Sequence, residues 1–81
     1  MFKKRTEDDR FNICGINIAA LRKKRKMSQR QLAEQLQLIG VDLHKNTVQK
    51  MESGERTITD LELKGFADYF EVSVDDLYAG S

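Results

Sequence analysis

Eighty-one residues, 40% hydrophobic and 33% charged with a net charge of +1, suffice for one small core and not for two. No apolar run approaches the ~20 residues that cross a bilayer, and Met1-Phe2-Lys3-Lys4-Arg5 leads into Thr6-Glu7-Asp8-Asp9-Arg10 rather than the apolar stretch of a signal peptide. One cysteine, Cys14, and one histidine, His44, leave no internal disulfide, no His/Cys metal cluster and no nucleophile–base pair. The expectation is a cytoplasmic binding module with no cofactor and no metal site. It is not expected to be an enzyme, because only scattered surface carboxylates are on offer.

In chain order, residues 1–12 alternate charge with little apolar content and read as a flexible charged arm, with Phe11 and Ile13 as candidate tethers. Helix 1 is predicted from Ile16 to Lys26, with Ile18 and Leu21 inward and a basic last turn that suits the helix dipole. Helix 2 opens at Ser28-Gln29-Arg30-Gln31, a capping box, and carries Leu32, Ala33, Leu36 and Ile39 inward until Gly40 stops it. Val41-Asp42-Leu43-His44 reads as a loop, and His44 as an exposed polar residue or makeshift cap. Helix 3 is predicted over Lys45–Ser53, with Val48 and Met51 inward and Gly54 as its stop. Thr59-Asp60-Leu61-Glu62 is a second capping box, opening a helix with Leu63, Phe66, Ala67 and Phe70 on one stripe. Ser73-Val74-Asp75-Asp76 caps a short fifth helix bearing Leu77 and Tyr78, and residues 79–81 are a tail. No segment alternates with period two long enough for a strand, so the fold class is all-α with five short helices.

Charge is unevenly placed. Residues 1–58 hold thirteen Lys/Arg and seven Asp/Glu, whereas residues 59–81 hold only Lys64 against six acids. A basic two-thirds and an acidic end suit a polyanion partner on one side of the domain, although a basic run alone also decorates any solvated helix. With Val48 and Met51 buried, Lys45, Asn46, Gln49 and Lys50 share the opposite face of helix 3. Lys donates to guanine O6/N7, and Asn or Gln pairs with adenine N6/N7, which are the groups a major-groove reader needs. Gln29, just inside helix 2, sits where free backbone N–H groups attract a phosphate.

Leu21-Arg22-Lys23, Met27 to Leu36, Thr47 to Arg56 and Phe66 to Leu77 together resemble the phage-repressor (Cro/XRE) helix-turn-helix family over about residues 15–78. The resemblance implies a lambda-repressor-like helix-turn-helix DNA-binding domain, placed at residues 13–78, and double-stranded DNA as partner. Relative to the family pattern the stretch Gln37–Leu43 is about five residues longer, giving a lengthened turn between helices 2 and 3. Gln37 stands where Gly is common, His44 where Ser, Thr or Asp is usual, and Glu71 where Gly often follows the fourth helix. The resemblance further implies base reading by Lys45, Asn46, Gln49 and Lys50. It implies phosphate contacts at Gln29 and at the turn Ser53, Gly54 and Arg56, and an ion pair between Arg22 and Glu52; Lys26 and Arg30 are expected to add attraction for phosphate, and Thr47 is a further phosphate-binding candidate.

The function expected is a sequence-specific transcriptional regulator, a repressor acting by operator occupancy. It would dimerise on half-sites ~34 Å apart, with Leu77 and Tyr78 as candidate dimer contacts. Two alternatives stay open: the antitoxin of a toxin–antitoxin pair, with a protein partner besides DNA, and a protein-interaction module that kept the fold.

Overall fold

Ser28, Thr59 and Ser73 each accept a hydrogen bond from the backbone N–H three residues on, and Gln31, Glu62 and Asp76 reach back to the cap's own N–H. These reciprocal bonds satisfy donors that a helix start otherwise leaves open. They set the beginnings of three helices in a computed structural model that describes residues 9–79. The described residues form α1 (Gly15–Lys24), α2 (Gln29–Leu38), α3 (Lys45–Ser53), α4 (Asp60–Phe70) and α5 (Val74–Tyr78), with no strand among them. The all-α, five-helix expectation holds.

Four of the helices end in one pattern. At the end of α1, Met27 N–H reaches Arg22 O while Lys26 N–H reaches Lys23 O, and α2, α3 and α4 repeat both bonds through Gly40/Val41, Gly54/Glu55 and Glu71/Val72. This Schellman closure needs one left-handed residue, and Lys26, Gly40, Gly54 and Glu71 have φ of 58°, 89°, 85° and 58°. Glycine supplies that conformation at two ends; at the other two a side chain bears its steric cost. The closure also stops α1 at Lys24, two residues before the expected Lys26.

α3 packs against α1 and α2, α4 against α2 and α5, and α5 closes onto α1. Ile18, Leu32, Leu36, Val48, Met51, Phe66 and Leu77 form the fully buried centre. Two expectations are corrected. Ile39 is 50% exposed, because α2 ends at Leu38 and the chain leaves the helical stripe before Ile39. Val41 turns inward in its place, so close to α4 that a Cβ on Gly65 would press into its side chain. Leu77, expected at a dimer surface, is 0% exposed and belongs to the core, while Tyr78 beside it is 45% exposed. In the helical turn of α5, one residue faces α1 and the next faces out.

Glu71→Gly removes a side chain from a left-handed position and should raise stability by about 0.5–1 kcal/mol. Lys64→Gly, at an exposed site within α4, should lower it by about the same amount. Urea melts check both, and equal effects at the two positions would contradict the assignment of Glu71 as a strained helix end.

Candidate nucleic-acid interface

α3 buries Val48 and Met51 completely, which turns Lys45, Asn46, Gln49 and Lys50 outward. All four expected base-reading residues are exposed. The helix is capped by His44, whose Nδ1 accepts from Asn46 N–H at 3.1 Å. Thr47 is half-buried on the flank. Ser53 is exposed and donates from its hydroxyl to Lys50 O at 3.2 Å.

Beside α3, the start of α2 is tied to its end. Glu52 accepts from Arg22 Nε at 2.8 Å and Arg22 Nη2 at 3.0 Å, and Gln29 Nε2 donates to the same carboxylate at 3.0 Å. Arg22 Nη1 donates to Met27 O at 2.7 Å, across the turn between α1 and α2. The Arg22 and Glu52 side chains are 11% and 7% exposed, so the pair is largely removed from water. Such a pair adds modest net stability, but removing one partner strands the other charge. Gln29, expected to meet a phosphate through the helix start, therefore has its side-chain N–H on Glu52, with its backbone N–H near the first turn of α2.

The basic residues divide. Arg25 lies over the Tyr69 and Phe70 rings at 5.4 and 5.0 Å and donates to Phe70 O at 3.1 Å, so it serves the end of α4. Arg56, expected to contact phosphate, grips Glu62 with two bonds at 3.0 and 2.9 Å, which neutralises its charge and anchors the loop after α3 to α4. Lys23, Lys24 and Lys26 are exposed, and Arg30 is exposed with a loose 3.7 Å pairing to Glu34. Exposed cationic charge therefore lies on α3, on the last turn of α1, on the turn before α2 and on the first turn of α2.

Residues 10–12, the inner end of the expected arm, are docked on the end of α3. Asn12 Oδ1 accepts from Gly15 N–H at 2.8 Å, while its Nδ2 donates to Met51 O at 2.8 Å and Arg56 O at 2.7 Å. Arg10 Nη2 donates to Glu52 O at 2.7 Å, and Phe11 N–H to Gly54 O at 2.8 Å. The expected tether at Phe11 is made by its backbone N–H, Ile13 is 40% exposed, and the bonds of Arg10 and Asn12 were not expected from the sequence. The one available signal was an Asn three residues before a glycine that opens a helix. Lys3, Lys4 and Arg5 lie outside the described residues.

Arg22→Ala should cost about 3–5 kcal/mol, since it leaves Glu52 buried with only Gln29. Lys24→Ala should stay within about 0.5 kcal/mol. Urea melts compare them, and equal costs would remove the pair from its structural role.

Acid should act through Glu62. Burial pushes its carboxyl up, but the hydrogen bonds from Arg56 and Thr59 and the Arg56 charge outweigh that and hold it below the ordinary 4.5. A carboxyl lowered in the folded state contributes stability that is complete above its unfolded value and is lost as pH falls through the folded one. The stability gap between wild type and Glu62→Gln should therefore be largest at neutral pH and shrink below about 4.5. A gap independent of pH would mean that the carboxylate charge contributes nothing.

A helix-turn-helix family model matches residues 18–77, well over half of the chain. No curated protein and no solved structure matches this chain. The match takes in all of α2, α3 and α4, with the exposed face of α3 at its centre, and the chain belongs to the Cro/C1-type helix-turn-helix family of DNA-binding regulators.

Proposed function

We propose that this regulator is a sequence-specific repressor that acts by occupying its operator. The observation that carries the reading is α3 itself. One face is completely buried, and the other presents two lysines and two amides, Lys45, Lys50, Asn46 and Gln49, with no acidic side chain among them. Laid in a major groove, such a face offers both hydrogen-bond patterns that distinguish guanine from adenine.

Phosphate contacts would come from the start of α2, where Gln29 and Arg30 sit, and from Lys26, Thr47 and Ser53. These contacts fix register and carry the salt-dependent part of the affinity, while the base contacts carry sequence preference. Bound polymerase competes for the same duplex, so occupancy alone represses, and the protein acts by binding rather than catalysis. One such domain covers a few base pairs, so two copies on half-sites ~34 Å apart would supply the rest of the specificity. Tyr78 and Val74, exposed one turn apart on α5, support a second copy docking at that end. The acidic residues Asp75 and Asp76 would turn that end away from DNA. Among the described residues no helix is long and apolar enough to cross a membrane, and the proposed site of action is the cytoplasm of a bacterial or phage-infected cell.

Selection from a random duplex pool at moderate salt tests the reading. An enriched inverted repeat is the expected outcome, and its spacing gives the dimer geometry. Replacing Lys45, Asn46 and Gln49 together by Ala should keep the fold and abolish the preference, each lost base contact weakening the selected site by about 1–3 kcal/mol. Folded wild-type protein that enriches no sequence would overturn the proposal in favour of a protein-interaction role.

A further inference from the structure

The segment 10–12 lies outside the family match at 18–77 and yet holds the end of the recognition helix. Its three residues take four carbonyls of the stretch 51–56: Met51 and Arg56 from Asn12, Glu52 from Arg10, and Gly54 from Phe11. We propose that Arg10 and Asn12 are positioning residues for DNA reading, a clamp that fixes the last turn of α3 and the loop behind it. The proposal rests on the reading of α3 as the major-groove helix.

The geometry leaves the segment few other places. The Arg10 stem lies across Gly54, where an added Cβ would come within 2.7 Å of its Cγ, and Gly54 is also left-handed at φ 85°. A Cβ on Gly15 would overlap the Met51 carbonyl oxygen, so the start of α1 and the end of α3 meet backbone to backbone. The Asn12 amide bridges that junction, accepting from Gly15 N–H at the donor-rich start of α1 and donating to Met51 O at the acceptor-rich end of α3.

Two consequences follow for binding. The last turn of α3, which ends at Ser53, and the loop behind it have their backbone fixed before DNA arrives, so the complex does not bear the entropy of ordering them. The guanidinium of Arg10 lies on the negative end of the α3 dipole, which would otherwise oppose a phosphate at that loop. α3 is still held in the core by Val48, Met51 and the Arg22–Glu52 pair, so loss of the clamp loosens its final turn without expelling the helix.

The test uses the full chain and four variants: Arg10→Ala, Arg10→Lys, Asn12→Ala, and Lys64→Gly as a destabilised control remote from α3. Each is titrated against the enriched duplex and a scrambled one, at a temperature where melts show it folded. The two alanine variants should bind the enriched duplex about tenfold more weakly, ~1.4 kcal/mol, with a smaller loss on the scrambled duplex. Their discrimination ratio therefore falls. Arg10→Lys, which keeps the cation but not the fork, should fall between Arg10→Ala and wild type, and Lys64→Gly should match wild type. If Asn12→Ala does not fold, the two Arg10 variants decide. A wild type that discriminates, with Arg10 variants that discriminate equally well, would overturn the clamp alone. A wild type that does not discriminate would overturn the reading of α3 and the clamp with it.

Discussion

The carboxylate of Glu52 is where three helices are joined. It belongs to the last turn of α3, accepts a two-pronged guanidinium from α1, and takes a third bond from the first residue of α2. A guanidinium and a carboxylate match in shape, so the pair fixes direction as well as distance. With both side chains mostly out of water, neither tolerates the loss of the other. The angle between α2 and α3 is thereby set from their buried junction, and the outward face of α3 needs no side-chain anchor of its own.

The same economy of placement governs the cationic residues. Of the described arginines, Arg10, Arg22, Arg25 and Arg56 donate to backbone carbonyls or carboxylates of the fold, whereas Arg30 has only a loose pairing with Glu34. Five lysines, Lys23, Lys24, Lys26, Lys45 and Lys50, are exposed beside Arg30 near the proposed interface. A planar fork suits fixed acceptors, and a hydrated ammonium on a flexible stem suits a partner that is not yet present. A basic run that reads as one patch in sequence is thus two populations in space, one that braces helix ends and one that faces solvent.

Helix ends also shape the stretch between α2 and α3. α2 runs to Leu38, closes through Gly40, and sends Val41 against Gly65 of α4 while Leu43 packs on the core. Val41 and Leu43 thus pin this stretch to the core, and it delivers His44 to the start of α3. There an imidazole nitrogen takes the place of the usual hydroxyl or carboxylate cap.

Local chemistry is what the chain alone determined. Capping boxes at Ser28, Thr59 and Ser73, left-handed stops at Gly40 and Gly54, and the stripe Leu63, Phe66, Ala67 and Phe70 involve residues a few positions apart, so pattern and propensity reveal them. The exposed set Lys45, Asn46, Gln49 and Lys50 was legible for the same reason, since burying Val48 and Met51 dictates the opposite face. Only the tertiary structure decided what depends on distant partners. Arg56 pairs with Glu62, Leu77 lies in the core rather than at the surface, and Ile39 gave its inward place to Val41. Asn12 and Arg10 brace the end of α3 through carbonyls 39 and 42 residues away in sequence, at a junction where Gly15 lets the start of α1 meet the Met51 backbone. Periodicity carries the direction a side chain faces within its own helix; which carbonyl or carboxylate awaits it there depends on how the helices cross, and no local pattern encodes that.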